Sequence, residues 1–267
     1  MEHPFIKYLR QETLPTAFCS ECGCGTILNA FVQAIDRLGI TQKEMALVTG
    51  IGCSSWIPSP YLLADTLHTT HGRAIAFATG VKVVQPDKKV VVIAGDGDLA
   101  AIGGNHLLHA ARRNVGILTI LVNNAIYGMT GGQVGPTTPT GDYSTSSPYG
   151  NPETPFDMCE LMTASGANYV ARWTTLHIRQ LIWAIQKAIT KKGFAFIEVL
   201  SPCPTVYGRK VGKKRGSDFL KEYKELSITV EKASSMSQIE LQDKIIVGEF
   251  INQDKKEFTE VLRELHS

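Results

Sequence analysis

Two apolar runs of strand length lie close together near the middle of the chain. Residues 89–94 read KVVVIA and residues 117–122 read ILTILV. Neither alternates with polar residues, so each suits a strand buried on both faces of a sheet. Between them, residues 99–113 fit a helix. Small residues Ala100, Ala101, Gly103 and Gly104 come first, and Leu107, Leu108 and Ala111 follow. A strand, helix and strand of these lengths predict a right-handed crossover, with the strands parallel and adjacent or nearly so.

The pattern extends in both directions. Helices are expected over residues 26–38, 73–84, 156–165, 176–190 and 256–265. The first carries Ile27, Ala30, Phe31, Ala34 and Ile35 on one face; the fourth carries Leu181, Ile182, Ile185 and Ile189. Strands are expected over residues 45–49, 169–173, 194–200 and 245–250. Alternation of this kind predicts an α/β fold, a mostly parallel sheet with helices on both faces. Residues 1–16 are polar and irregular and are expected as an N-terminal arm lying across a partner. Residues 17–208 form the α/β domain. Residues 209–267 are charged and weakly patterned, and are expected as a C-terminal extension packed on the core or on a partner. Residues 131–155 are rich in Gly, Pro, Thr and Ser; a loop that long is usually functional or covered by another chain.

Composition narrows the partners. The 267 residues carry a net charge of +2, which gives no electrostatic case for nucleic acid. No run of 18 apolar residues occurs, so no membrane span is expected. The segment MEHPFIKYLRQETLP lacks an apolar signal core and an Arg/Ser-rich transit pattern, and a cytoplasmic location is expected. There, six cysteines point to metal or redox chemistry more than to disulfides.

Candidate chemistry collects at strand ends. Asp96 and Asn124 each follow a strand's carboxyl end, where open α/β sheets bind ligands. A carboxylate, an amide oxygen and a loop carbonyl could hold Mg²⁺, which keeps water or phosphate oxygens in its other positions. Gly95 and Gly97 let the backbone approach a diphosphate, and the following helix N-terminus favours its charge. The loop is not GxGxxG, and no GK[ST] follows, so neither a dinucleotide nor a P-loop site is indicated.

Cys19 and Cys22 form a C-x-x-C pair. Cys53 and Cys203 each lie just past an apolar strand, on the edge that carries Asp96 and Asn124. Four thiolates there could hold a [4Fe–4S] cluster or a structural zinc; a neighbouring diphosphate cofactor argues for the redox cluster. Cys24 is an alternative ligand, and Cys159, inside a helical pattern, is expected in the core. His68, His71 and Arg73 precede a helix on the same edge. His71 and Arg73 are candidates for substrate or cofactor contact.

The stretch GDG-x25-NN resembles the thiamine diphosphate motif, which implies Asp96, Asn124 and the carbonyl of Ile126 as Mg²⁺ ligands. The ordered set CSECG, GIGCSS, HTTHGR, GDGD, IGGNHLLHAARRN, NNAIYGMTGGQ-x-x-PT and SPCP resembles the β subunit of 2-oxoacid:ferredoxin oxidoreductases, with most likeness to the 2-oxoglutarate type. The resemblance implies one [4Fe–4S] cluster on Cys19, Cys22, Cys53 and Cys203, with Cys24 as a non-ligand. It implies thiamine diphosphate near Gly52, Cys53, Ser54, Gly95, Gly97, Asp98, Tyr127, Gly128 and Thr130. It implies a separate α subunit that supplies the carboxylate activating the cofactor, for which this chain offers no candidate. The implied reaction is oxidative decarboxylation of a 2-oxoacid, with coenzyme A taking the acyl group and ferredoxin the electrons.

Pyruvate or a branched 2-oxoacid is the alternative substrate. A non-redox thiamine carboligase or decarboxylase with structural zinc is the alternative activity, and a non-catalytic electron-transfer or scaffold subunit is a further one. Trp56 stands where related chains often carry Arg or Lys, and it brings no charge to read a carboxylate. The basic run of residues 209–215 reads as a solvated loop, or as a face for ferredoxin or coenzyme A phosphates.

Overall fold

The computed structural model describes residues 4–266. Its strands are β1 (Met45–Thr49), β2 (Thr66–His68), β3 (Lys89–Gly95), β4 (Ile117–Asn123), β5 (Ile126–Tyr127), β6 (Gln133–Val134), β7 (Tyr169–Thr174), β8 (Ala195–Leu200), β9 (Ser227–Thr229) and β10 (Ile245–Asn252). Eight of them form one sheet in the order β2-β1-β3-β4-β8-β7-β10-β9, while β5 and β6 make a small hairpin beside it. β3 and β4 are parallel neighbours in register from Val90 opposite Ile117 to Gly95 opposite Val122, as the crossover pattern predicts. Every pairing in the large sheet is parallel except β7 with β10.

The helices are α1 (Gly23–Arg37), α2 (Ala74–Val84), α3 (Gly104–Arg113), α4 (Met158–Ala164), α5 (Ile178–Thr190), α6 (Gly216–Leu226), α7 (Val230–Ala233), α8 (Gln238–Leu241) and α9 (Phe258–His266). α1 and α5 cover one face, where Phe31, Ile35 and Ile185 pack with Val91, Ile93 and Ile120. α2, α3 and α4 cover the other, where Ala78, Leu107 and Met162 pack with Val90, Val92 and Phe196. Alternate residues of β3 thus point into two cores, which explains its unbroken apolar run. Each buried Val or Ile there stabilises the fold by about 1.5–3 kcal/mol relative to exposure. No helix among the described residues is long and apolar enough to cross a membrane.

Local patterning misjudged two places within the central domain. The helix expected over residues 99–113 is two elements. Gly97–Ile102 forms a wide π-type turn, closed by Gly103 N donating to Asp98 O at 2.9 Å, and α3 begins after it. A Cβ on Gly103 would lie 2.6 Å from Asp98 O, so the joint requires glycine. β2 falls in a stretch read as loop; it is a short edge strand of intermediate and exposed residues, without an apolar run to mark it.

The segment before residue 16, read as an arm reaching a partner, lies on its own chain, although residues 1–3 fall outside the described part. Phe5, Leu9 and Leu14 pack against the α1 core beside buried Tyr8, whose hydroxyl donates to Asp36 at 2.9 Å. Arg10 donates to Ala64 O at 2.9 Å. Apolar residues scattered among polar ones give no periodicity, yet they fill the side of α1.

The region after residue 208 is woven into the sheet rather than appended. β10 pairs antiparallel with β7. Asn114, in a left-handed conformation at the end of α3, donates to Lys256 O at 2.8 Å and accepts from Phe194 N at 2.8 Å. The buried Glu257 accepts from Gly116 N at 2.7 Å.

Candidate active site

Parallel pairing of β1, β3, β4 and β8 brings their carboxyl ends to one edge. A cleft of about 70 Å³ opens there. The loop after β1 contributes Gly52, Cys53 and Ser54, and the β3 end contributes Gly95, Asp96, Gly97 and Asp98. The β4 loop contributes Asn124, Ile126, Tyr127, Gly128 and Thr130, and His71 joins from the loop before α2. Small-molecule sites usually span about 300–1,000 Å³, so this cleft is one wall of a site rather than a complete one.

Asp96 is 2% exposed. Burial pushes its carboxyl up to about 6, against the opposing effect of the Thr137 hydroxyl, which donates to Oδ2 at 2.6 Å. A buried carboxyl that makes no ion pair among the described residues and shares a cleft with Asn124 and Ile126 suits a hard divalent cation. Thr137 also donates to Asn123 Oδ1 at 2.9 Å, so one hydroxyl spans the ends of β3 and β4.

Asn124 begins the tight turn that leads into β5. Ala125 has φ 61°, a left-handed conformation that costs a non-glycine residue about 1–2 kcal/mol. The turn is held by Asn123 Oδ1, which accepts from Ala125 N at 3.0 Å, and by Thr138, whose hydroxyl donates to Ala125 O at 2.6 Å. Asn124 Oδ1 accepts from Ile126 N at 3.3 Å. Tyr127 packs its ring against Gly97 and donates its hydroxyl to Gly97 O at 3.3 Å, joining the two loops across the cleft. Asn123, Thr137 and Thr138 were not singled out from sequence. The long Gly/Pro/Thr loop marked their neighbourhood, but not their contacts.

Two of the expected site residues make contacts that the sequence did not show. Asp98 was expected to line a diphosphate. Its side chain has no exposed surface, and its Oδ1 accepts from Ile51 N at 3.0 Å and Gly72 N at 2.8 Å, with His71 Nδ1 at 2.7 Å. It clasps the β1 loop to the His71 loop. Arg73 was expected to contact substrate or cofactor. It does not line the cleft; its guanidinium donates to Gly72 O at 3.1 Å and Ile102 O at 3.4 Å. The residue initiates α2, and the side chain turns back over the π-type turn.

A second cavity of about 260 Å³ adjoins the cleft. Cys19, Cys22, Cys53 and Cys203 all line it, together with Trp56, Asn124 and Gly128. A Cβ on Gly128 would lie 3.7 Å from Cys203 Sγ and 3.8 Å from Asn124 Nδ2, and Cys53, Asn124 and Gly128 line both cavities, so the thiol cavity and the cofactor cleft share a wall. Among the described residues no three His, Cys, Asp or Glu side chains converge on a point as a single metal ion requires. Zinc draws its thiolates to about 2.3 Å. Four thiols around an open cavity suit a larger group, such as an iron–sulfur cube.

Cys24 is buried behind Cys22 and does not line the cavity. A hydrogen bond from Cys24 lowers the Cys22 thiol to about 7, while the same bond and burial hold Cys24 well above the ordinary thiol range. Burial, then the neighbouring thiols, pushes Cys53 up to about 11. Cys159 is in the core, its sulfur 3.6 Å from Glu198.

The parallel sheet, the Asp/Asn edge and the glycine loops define a thiamine enzyme. The family described as "Thiamine pyrophosphate enzyme, C-terminal TPP binding domain" matches residues 50–199. A 2-oxoglutarate synthase subunit KorB from Methanocaldococcus jannaschii is 56% identical over 263 residues, 98% of this chain and 97% of that protein. The KorB subunit from Methanothermobacter thermautotrophicus is 52% identical over 259 residues, 97% of this chain and 90% of that one. The chain belongs to this KorB family, within the β subunits of 2-oxoacid:ferredoxin oxidoreductases. Among solved structures, a chain of the 2-oxoglutarate:ferredoxin oxidoreductase from Magnetococcus marinus, with 2-oxoglutarate, coenzyme A and succinyl-CoA bound, superposes with a TM-score of 0.87 at 32% identity, over 99% of this chain and 90% of that one.

Proposed function

We propose that the chain is the β subunit of a 2-oxoacid:ferredoxin oxidoreductase. The enzyme converts 2-oxoglutarate and coenzyme A to succinyl-CoA and CO2 and passes two electrons to ferredoxin. The observation that carries this reading is the position of Gly128, one residue's thickness between Cys203 and Asn124. A cofactor site and a thiol site sharing a wall suit electron transfer from one to the other. The KorB relatives and the 2-oxoglutarate and succinyl-CoA bound in the Magnetococcus enzyme favour 2-oxoglutarate as the substrate.

Asp96, Asn124 and the Ile126 carbonyl are the residues that would hold Mg²⁺ against the diphosphate. Tyr127, Gly128 and Thr130 line the same cleft. Cys19, Cys22, Cys53 and Cys203 would hold a [4Fe–4S] cluster. When bound, thiamine diphosphate supplies an electron sink beside the 2-oxo carbon, and the cluster supplies a one-electron outlet. Among the described residues, His71 is the one imidazole lining the cleft. Its Nδ1 lies 2.7 Å from the Asp98 carboxyl, which positions the ring in the cleft and leaves Nε2 unengaged by Asp98. The second wall, including the carboxylate that activates the cofactor, belongs to a partner α subunit.

The test is co-expression with the α subunit and anaerobic purification. The complex should contain about four iron and four sulfide per β chain, with thiamine diphosphate and magnesium. It should reduce ferredoxin with 2-oxoglutarate and coenzyme A in preference to pyruvate or branched 2-oxoacids. Zinc without iron would overturn the redox reading, and preference for another 2-oxoacid would overturn the substrate.

A further inference from the structure

We propose that residues 209–215 form the docking surface for a small acidic electron carrier. The proposal rests on the redox reading above and adds where the electrons leave.

The loop is fastened at both ends to the thiol cavity. It follows the turn Pro204–Gly208, which starts directly after Cys203 and is closed by Gly208 N donating to Cys203 O at 2.9 Å. Its far end meets the turn between Cys19 and Cys22. There Glu21 accepts a hydrogen bond from Gly216 N and lies 3.4 Å from the Arg215 guanidinium. Within the loop, Val211 N donates to Tyr207 O at 3.2 Å and Lys213 N to Gly208 O at 2.7 Å. Tyr207 packs on Phe219 of α6. A loop tied at this many points presents its side chains from a fixed platform.

Its charge is one-sided. Arg209, Lys210, Lys214 and Arg215 are exposed. Lys213 is neutralised by Glu222 at 2.6 Å, and Arg215 is only loosely met by Glu21. Arg209, Lys210 and Lys214 make none of the ion pairs found among the described residues. On a chain of net charge +2 this surplus is local rather than general. Cys19, on the adjoining turn, is exposed, so the thiol set comes nearest to solvent beside these cations. A concentrated positive patch at an electron exit raises the encounter rate of an acidic partner and suppresses the wrong ones.

The experiment uses the assembled α/β enzyme carrying Lys210→Glu and Lys214→Glu, singly and together. Lys43→Glu, exposed just ahead of β1 at the other end of the sheet's strands, is the control for charge alone. Binding of an oxidised acidic ferredoxin is measured by calorimetry at low and high salt. The double variant should weaken binding by about tenfold or more at low salt and flatten its salt dependence. The control should shift it by no more than about twofold. Iron content, reduction of methyl viologen and the KM for coenzyme A should stay at wild-type values.

Unchanged ferredoxin affinity overturns the proposal. A raised KM for coenzyme A reassigns the loop to the phosphates of that substrate, and loss of the α subunit reassigns it to the subunit interface. A wild-type enzyme without iron and inert toward viologen fails differently: it removes the redox reading, and the docking surface with it.

Discussion

The imidazole of His71 and the carboxyl of Asp98 meet across two loops, with Nδ1 2.7 Å from an oxygen that has no solvent exposure. The contact fixes the ring where it lines the cleft, and Nε2 is the nitrogen that Asp98 does not engage. Asp98→Asn keeps the oxygen that receives Ile51 N and Gly72 N and removes only the charge. We expect iron and thiamine diphosphate contents to hold while kcat/KM for the 2-oxoacid falls by about 10²-fold, within the range for a displaced proton-transfer group. Steady-state kinetics of the assembled enzyme checks this, and unchanged kinetics would leave His71 without a catalytic part.

Asp96 gives a pH dependence with a definite sign. Burial holds its folded-state pKa at about 6, above the unfolded carboxyl value of about 4. Folding therefore favours the protonated form. The carboxyl costs nothing below about pH 4; the cost grows between about 4 and 6 and is complete above, on the order of 3 kcal/mol. The metal-free chain should lose stability as pH rises through that window, and Asp96→Asn should flatten the fall. Urea midpoints in the presence of a chelator measure both. Mg²⁺ with thiamine diphosphate should restore stability only above the window, where the carboxylate is free to bind it.

Cys203 and Asp96 should separate the two cofactors. Cys203→Ser removes one of four thiols around the cavity but leaves the Asp/Asn edge intact. Iron should fall to below about half of wild type while thiamine diphosphate is retained. Asp96→Ala should do the reverse, losing the diphosphate and keeping the visible absorbance of the cluster. Metal analysis with cofactor release on the same preparations decides between independent sites and one collapsed site.

The crossover at the centre was legible because its strands are buried on both faces and are apolar along their middle apart from Thr119. Asp96 and Asn124 were legible for the same reason, since a polar residue ending such a run stands out. Cys53 and Cys203 were legible because a thiol just past a strand end has its edge fixed by parallel topology, and Cys19 and Cys22 because they form a C-x-x-C pair. What was hidden depends on contacts between distant residues. Gly103 breaks a sound helical pattern because Asp98 O occupies the space its Cβ would need. Thr137 meets Asp96 from 41 positions away, and Asn114 holds Lys256 from 142 away. Asp98 looked like a phosphate-loop residue, and only the fold revealed that its carboxyl is held by Ile51 N, Gly72 N and His71.

A buried chain of polar groups leads from the metal edge into the sheet. Asp96 and Asn123 share the Thr137 hydroxyl; Asn123 Nδ2 donates to Glu198 Oε1 at 2.8 Å; Arg172 Nε donates to Glu198 Oε2 at 2.6 Å. Glu198 is 1% exposed and sits opposite Arg172 in the β7–β8 register. Arg172 reaches on to Asp157 at 2.8 Å and lies over the Phe250 ring of β10. Glu198→Ala would strand a buried guanidinium and should cost about 3–5 kcal/mol, read as a large fall in the urea midpoint. Glu198→Gln keeps an oxygen for one partner and should cost less. If the chain orients the metal edge as well as the sheet, Glu198→Gln should also weaken Mg²⁺ binding by a few fold, about 0.5–1.5 kcal/mol for one altered neutral hydrogen bond. A Gln variant that loses stability but binds Mg²⁺ with wild-type affinity would confine Glu198 to holding β7 and β8 together.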